Sequence, residues 1–316
     1  MKGRREGALL VQERQPERSG VAIVEVSPRD GLQNESVLIP TEKKIGLIRR
    51  AIALGARRIE VTSFVHPDRV PQMADAEAVI EALPDEAGVV YIGLVLNKRG
   101  ALRALATKVH ELGAVCVATD SFAQRNQGQT ARESLDAACE IVRLARDAGR
   151  SAQITIGASF GCPFEGEVSA AHVVDMAKRA ADAQPREIAI ADTIGVGVPA
   201  QVADLIGALR EAVYPLPIRG HFHNTRGSGV ANVWAAVQAG AQAIDASLGG
   251  IGGCPFAPSA AGNVATEDVA YLFERSGIST GIDLGKAIES VTWLSEVMGR
   301  RLPGMVSRAG GFPSAA

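Results

Sequence analysis

From Val21 onward the chain alternates short β-branched runs with longer stretches of helical period, and it does so eight times. A strand that is followed by a helix-length crossover rejoins its sheet in parallel, because the crossover carries the chain back to the edge where the strand began. The runs predict strands at 22–26, 58–62, 89–94, 114–119, 153–158, 187–191, 218–222 and 243–247. Helices are predicted between them, including 41–54, 130–148, 168–183, 199–213 and 229–239. Eight uninterrupted units, with no Pro/Gly/Ser-rich linker and no change of composition, point to the α/β class and to a closed (β/α)8 TIM barrel. The alternative is an open doubly wound sheet with a small second domain, but no GxGxxG turn follows the first strand to support it.

At 316 residues the length fits either one large barrel or two ordinary domains. Two further helices, at 267–276 and 283–298, lie beyond the eighth strand and are expected to pack on the barrel or on a partner. We read residues 1–20 as a poorly ordered arm, 21–300 as the barrel with its C-terminal helices, and 301–316 as a tail. The formal net charge of −2, with arginines scattered instead of striped, offers nothing to a phosphate backbone, so nucleic acid is not an expected partner. The four cysteines form no CxxC pair, which predicts free thiols in a reducing compartment and hence a cytoplasmic protein. No apolar run reaches the length of about 18 residues that a membrane span needs.

In a barrel of this kind the chemistry sits at the carboxyl ends of the strands. Ser27-Pro28-Arg29-Asp30-Gly31 follows the first strand, Glu60 lies within the second, Asp192-Thr193-Ile194-Gly195 ends the sixth, and His221-Phe222-His223 ends the seventh. A glycine-rich run with Cys254 at its end follows the eighth, and then comes Asn263. His221 and His223 are two residues apart on a strand and therefore face the same way, so both can reach one cation. Two histidines satisfied by core hydrogen bonds would give the same pair, but Asp30 at the end of another strand and Asn263 after the glycine-rich loop favour a mixed nitrogen and oxygen site. Such a donor set suits Mg²⁺ or Mn²⁺, with Zn²⁺ also open.

Arg29 is placed to hold the charge that develops on a carbonyl oxygen, or else to form a structural ion pair with Glu60 or Asp192. Glu60 and Asp192 are expected to point into the mouth and orient the arginine. Cys254, on a loop able to close, is a candidate proton donor or acceptor. Cys116 and Cys139 read as small buried hydrophobes and Cys162 as ambiguous. His66, His110 and His172 read as surface residues.

Eight ordered motifs make the chain resemble the 3-hydroxy-3-methylglutaryl-CoA lyases over residues 21–284. They are PRDGLQNE, EVTSFV, VPQMAD, FGCPFEG, DTIGVG, HFH, GIGGCPFAP and GNVATEDV. The resemblance implies an acyl-CoA thioester substrate, a divalent metal cofactor held by Asp30, His221, His223 and Asn263, and a homo-oligomer, with a dimer expected. It also implies that Arg29 stabilises an enolate, that His221 takes part in proton transfer, that Cys254 lies on a mobile loop, and that Glu60 and Asp192 support the site. Gln33, Asn126, Thr193 and Arg226 are the expected substrate contacts.

The implied reaction is metal-dependent retro-aldol cleavage of 3-hydroxy-3-methylglutaryl-CoA to acetyl-CoA and acetoacetate. Two departures from the pattern bear on the substrate. After HFH the chain reads Asn224-Thr225-Arg226-Gly227, where these lyases carry an aspartate and then Thr-Tyr-Gly, and the loop at 120–127 matches only in part. Arg226 either meets an acyl carboxylate held differently, as in citramalyl-CoA or 3-methylmalyl-CoA, or faces solvent at a helix start. A Claisen-type condensing enzyme and a catalytically silent binding barrel are the more distant alternatives.

Overall fold

The computed structural model describes residues 20–253 and 262–313. Eight parallel strands close into a barrel: β1 (Ala22–Glu25), β2 (Arg58–Ser63), β3 (Val90–Val95), β4 (Glu111–Val117), β5 (Ser151–Gly157), β6 (Ile188–Asp192), β7 (Ile218–Phe222) and β8 (Ala243–Ala246). Each strand pairs with its sequence neighbours, and β1 closes the ring by pairing Ala22 with Ala243 and Val24 with Asp245. The expected TIM barrel is therefore the fold. Residues 1–19, which include nearly all of the expected N-terminal arm, lie outside the described residues.

The longest helix of the outer ring shows why these segments are helical. Thr130 accepts a hydrogen bond from the Glu133 backbone at 3.2 Å while the Glu133 carboxylate accepts one from the Thr130 backbone at 2.8 Å, a reciprocal cap that opens α5 (Ala131–Asp147). Leu135, Ala138, Ile141, Val142 and Ala145 then recur at helical spacing and are buried against the barrel, while Arg143, Arg146 and Asp147 face solvent as expected. The other crossover helices are α1 (Thr41–Ala53), α2 (Ala76–Glu81), α3 (Lys98–Leu105), α4 (Asp120–Gln127), α6 (Ala170–Ala181), α7 (Pro199–Val213) and α8 (Gly229–Gln238).

Two local expectations are corrected. Strand β4 begins at Glu111, three residues before the predicted start, because Glu111 turns inward to Arg58 and Gly113 leaves room beside Glu60 and Gln153. Residues 120–127, expected as a loop, form helix α4, which Gly128 ends in the left-handed region at φ 69°.

Past the barrel come α9 (Thr266–Arg275), α10 (Leu284–Met298) and the short α11 (Val306–Ala309). Residues 301–313, read from sequence as a tail, fold back on the barrel in the part before and within α11. Asp268 accepts from the backbone of Met305 at 3.0 Å and of Val306 at 2.7 Å, and the Gly304 backbone donates to the Gly249 carbonyl at 2.9 Å. No helix among the described residues is long and apolar enough to cross a membrane. Cys116, Cys139 and Cys162 are free and buried, and Cys254 lies outside the described residues.

Candidate active site

The chain leaves β1 through a single π-helical turn, Ser27–Gly31, with Pro28 in its first positions and the Gly31 backbone bonded to the Val26 carbonyl at 3.1 Å. The turn sets Arg29 and Asp30 side by side over the barrel. The Arg29 guanidinium bonds to Asp30 at 2.6 Å and to Glu60 of β2. Burial works against the Arg29 cation, but the two carboxylates outweigh it and keep the guanidinium charged. Burial also resists the Asp30 carboxylate, and Arg29, His221 and His223 outweigh it and hold the group well below the usual range.

His221 and His223 reach the same space from the end of β7. Ligand atoms of Asp30, His221 and His223 all lie within 4.8 Å of one another, with His221 Nε2 3.9 Å from Asp30. The two rings differ in their surroundings. His221 Nδ1 meets Asp245 at 3.0 Å, and this bond, with the charges of Asp30 and Asp245, overcomes burial and raises its pKa. Burial, reinforced by His221, pushes His223 down to about 4, and its Nδ1 is buried with no hydrogen-bond partner among the described residues.

Asn263 arrives on the segment that follows the eighth strand's loop. Its backbone is bridged to His223, and Val264 and Thr266 are bonded to Phe222 and Ser247 at 3.1 Å each, so both strand ends fasten it. The Asn263 amide donates to Asp30 at 2.7 Å, while its Oδ1 is buried without a hydrogen-bond partner among the described residues. Gly252, at φ 103°, lies so close to the Asn263 amide and the Asp30 carbonyl that a side chain there would collide with both. Below this stem Glu267 accepts from the Gly249 backbone at 3.0 Å, and burial raises its pKa to about 8.

The remaining expected residues divide. Gln33 accepts from Ser63 at 3.2 Å, Thr193 accepts from the Ala158 backbone at 3.0 Å, and both line the same cavity as Arg29, as does Asn126 on α4. Asp192 does not orient Arg29: its two oxygens accept from the Val196 and Gly197 backbones at 2.9 Å each, so it shapes the loop after β6, and Glu60 carries the arginine. Arg226 is exposed and donates to the carbonyls of Ile194 at 2.8 Å and Gly195 at 3.0 Å, while Asn224 accepts from the Gly229 backbone at the start of α8. Cys162 accepts from Thr119 at 3.1 Å behind the cavity wall. His66, His110 and His172 are exposed.

Sequence reasoning missed Asp245 and Arg219. Both sit at inward positions of strands that had been drawn, Arg219 two residues before His221 and Asp245 two before Ser247, so strand alternation alone was a sufficient signal. They join Arg58, Glu111 and Glu187 in a buried ion network along the barrel axis.

Above this network opens a cavity of about 1270 Å³, whose lining includes Arg29, Asp30, His221, His223, Gly252 and Gly253 and, further out, Arg69, Arg99 and Arg125. It exceeds the usual small-molecule pocket and leaves space for a long substrate. A divalent cation fits the inner end: one carboxylate and two imidazoles converge there, and the buried atoms of His223 and Asn263 have no hydrogen-bond partner among the described residues.

The fold and this mouth define a (β/α)8 barrel with a metal-competent site at the carboxyl ends of its strands. The HMGL-like family matches residues 20–292, and the chain belongs to that family. It is 41% identical to the (R)-citramalyl-CoA lyase of Chloroflexus aurantiacus, over 92% of this chain and 95% of that one. The crystal structure of the Bacillus subtilis HMG-CoA lyase superposes with a TM-score of 0.90 at 38% identity, covering 93% of this chain and 99% of that one. An HMG-CoA lyase of Acinetobacter baumannii, solved with coenzyme A and 3-methylmalate, superposes with a TM-score of 0.89 at 38% identity, covering 94% and 97%.

Proposed function

We propose that the protein is a divalent-metal-dependent carbon–carbon lyase that splits 3-hydroxy-3-methylglutaryl-CoA into acetyl-CoA and acetoacetate. The observation that carries this reading is the convergence of Asp30, His221 and His223 within 4.8 Å beside a charged, doubly paired Arg29. Asp30, His221, His223 and Asn263 would hold Mg²⁺ or Mn²⁺, which when bound would polarise the tertiary hydroxyl and fix the distal carboxylate. A base at the inner end takes the hydroxyl proton as the bond between the carbinol carbon and the thioester's α-carbon breaks. The electron pair passes into the thioester enolate, whose oxygen Arg29 stabilises, and the α-carbon takes a proton from the side of the site where His221 stands. Gln33, Thr193 and Asn126 line the path of the acyl chain, and Arg69, Arg99 and Arg125 suit the phosphates of coenzyme A.

A second reading is cleavage of citramalyl-CoA to acetyl-CoA and pyruvate. It is supported by the departures at Asn224 and Arg226 and by the 41% identity to a citramalyl-CoA lyase. The two substrates differ by one methylene before the carboxylate, a difference worth about 1–3 kcal/mol in a fitted pocket. Metal-stripped protein assayed with each thioester, with and without Mg²⁺ or Mn²⁺, decides between them by the ketoacid released. Acetoacetate formed with the higher kcat/KM supports the first reading, pyruvate the second, and metal-independent or absent turnover on both defeats the proposal.

A further inference from the structure

The ion network of the barrel interior is ordered by sign. Arg186, at the far rim, meets Glu111 at 3.1 Å; Glu111 meets Arg58 at 2.6 Å; Arg58 meets Glu187 at 2.7 Å. Glu187 then meets Arg219 at 3.0 Å, Arg219 meets Asp245 at 3.2 Å, and Asp245 meets His221 at 3.0 Å. The Arg219 approaches are close charge contacts whose angles fall short of aligned hydrogen bonds. Strand register builds the last links. Asp245 is the direct cross-strand partner of His221, and Arg219 is flanked in register by Ala189 and Ala243, whose small side chains leave the barrel interior free for a guanidinium.

This arrangement separates the two histidines. Asp245 holds His221 through Nδ1 and leaves Nε2 for the space shared with Asp30, whereas His223 Nδ1 has no such holder. A carboxylate with one free oxygen could rotate, and Arg219 is placed against the other oxygen of Asp245.

We propose that Arg219 and Asp245 are positioning residues for the mouth: Arg219 fixes the Asp245 carboxylate, and Asp245 fixes the tautomer and ring orientation of His221 so that Nε2 faces the cation. The inference rests on the metal-site reading above and adds two residues, on the cavity floor, that are not among the four side chains proposed to hold the cation. Outer partners of this kind contribute about 10–100-fold to metal affinity.

The test uses full-length, metal-stripped protein titrated with Mn²⁺ alone, free Mn²⁺ being followed by electron paramagnetic resonance. Wild type should bind one ion at this site and His223→Ala should lose it. Asp245→Asn should bind about 10–100-fold more weakly. Arg219→Gln should weaken binding in the same sense, with Arg219→Lys restoring most of it. Because Arg219 acts through Asp245, the double variant should lose no more than Asp245→Asn alone. An Asp245→Asn protein that binds Mn²⁺ like wild type, while His223→Ala does not bind, overturns the positioning role and leaves the metal site standing. Unchanged binding by His223→Ala overturns the metal site itself. Should a variant fail to fold, nitrogen-15 NMR of the wild-type histidines still decides: His221 protonated at Nδ1 supports the inference, and protonation at Nε2 alone sinks it.

Discussion

The floor and the mouth of the barrel are built from the same kinds of side chain and are finished differently. At the floor Arg58, Glu111, Glu187, Arg219 and Asp245 each meet an opposite charge within 3.2 Å. At the mouth His223 Nδ1 and Asn263 Oδ1 are buried with no hydrogen-bond partner among the described residues, whereas the floor atoms without an aligned hydrogen bond, on Arg58, Arg219 and Asp245, belong to groups held by ion pairs. Desolvating such an atom without a partner costs about 1–3 kcal/mol, and two of them side by side at a strand-end mouth are explained by a ligand that completes both. The difference separates charges that hold the protein together from groups that wait for a ligand.

The comparison breaks most visibly at Arg58. Arg58→Met removes the cation shared by the buried Glu111 and Glu187, leaving them Arg186 and Arg219, and urea unfolding should show a loss approaching the value of about 3–5 kcal/mol for a broken buried pair. Arg29→Gln tests the other level: kcat should fall about 10²–10³-fold, or about 2.7–4 kcal/mol, with a much smaller change in substrate binding, and near-normal turnover would remove Arg29 from the chemistry. Next in size is the response to metal. Mn²⁺ at 100 times its dissociation constant should raise unfolding stability by about 2.7 kcal/mol. His223→Ala should abolish that gain while costing the metal-free protein little, since its Nδ1 has no bond to lose. A metal-free variant as unstable as Arg58→Met would erase the distinction between floor and mouth. The smallest effect belongs to Arg226→Ala, which removes exposed bonds to two carbonyls and should shift stability by no more than about 1 kcal/mol. A KM that rises for one thioester and not the other would make Arg226 a specificity contact.

The barrel was legible because its strands are β-branched runs buried on both faces, which contrast sharply with amphipathic crossovers such as α5. Strand β4 blurred where Glu111 and Gly113 replaced the apolar pattern, and both owe their places to charges arriving from β2. The mouth was legible for a related reason: Asp30, His221 and Asn263 stand at strand ends, where the fold itself gives residues a common destination. Asp192 stands at such an end too, but its carboxylate is captured by two backbone N–H groups of its own loop, a local competition that strand position does not encode. Asp245 and Arg219 were hidden by the habit of treating strand interiors as packing.

The fastening of Gly304 to Gly249, with Glu267 beneath and Asp268 holding Met305 and Val306, gives the end of the chain a say in the chemistry. A protein cut after Arg301 would retain every barrel strand and the four side chains proposed to hold the cation, yet the stem at Gly249 would lose its bond to Gly304 and keep those to Glu267 and Asn263. Changes to residues 304–306 therefore reach the site through the backbone at Gly249, and Asp268→Ala, which frees Met305 and Val306, should alter turnover without touching a strand end.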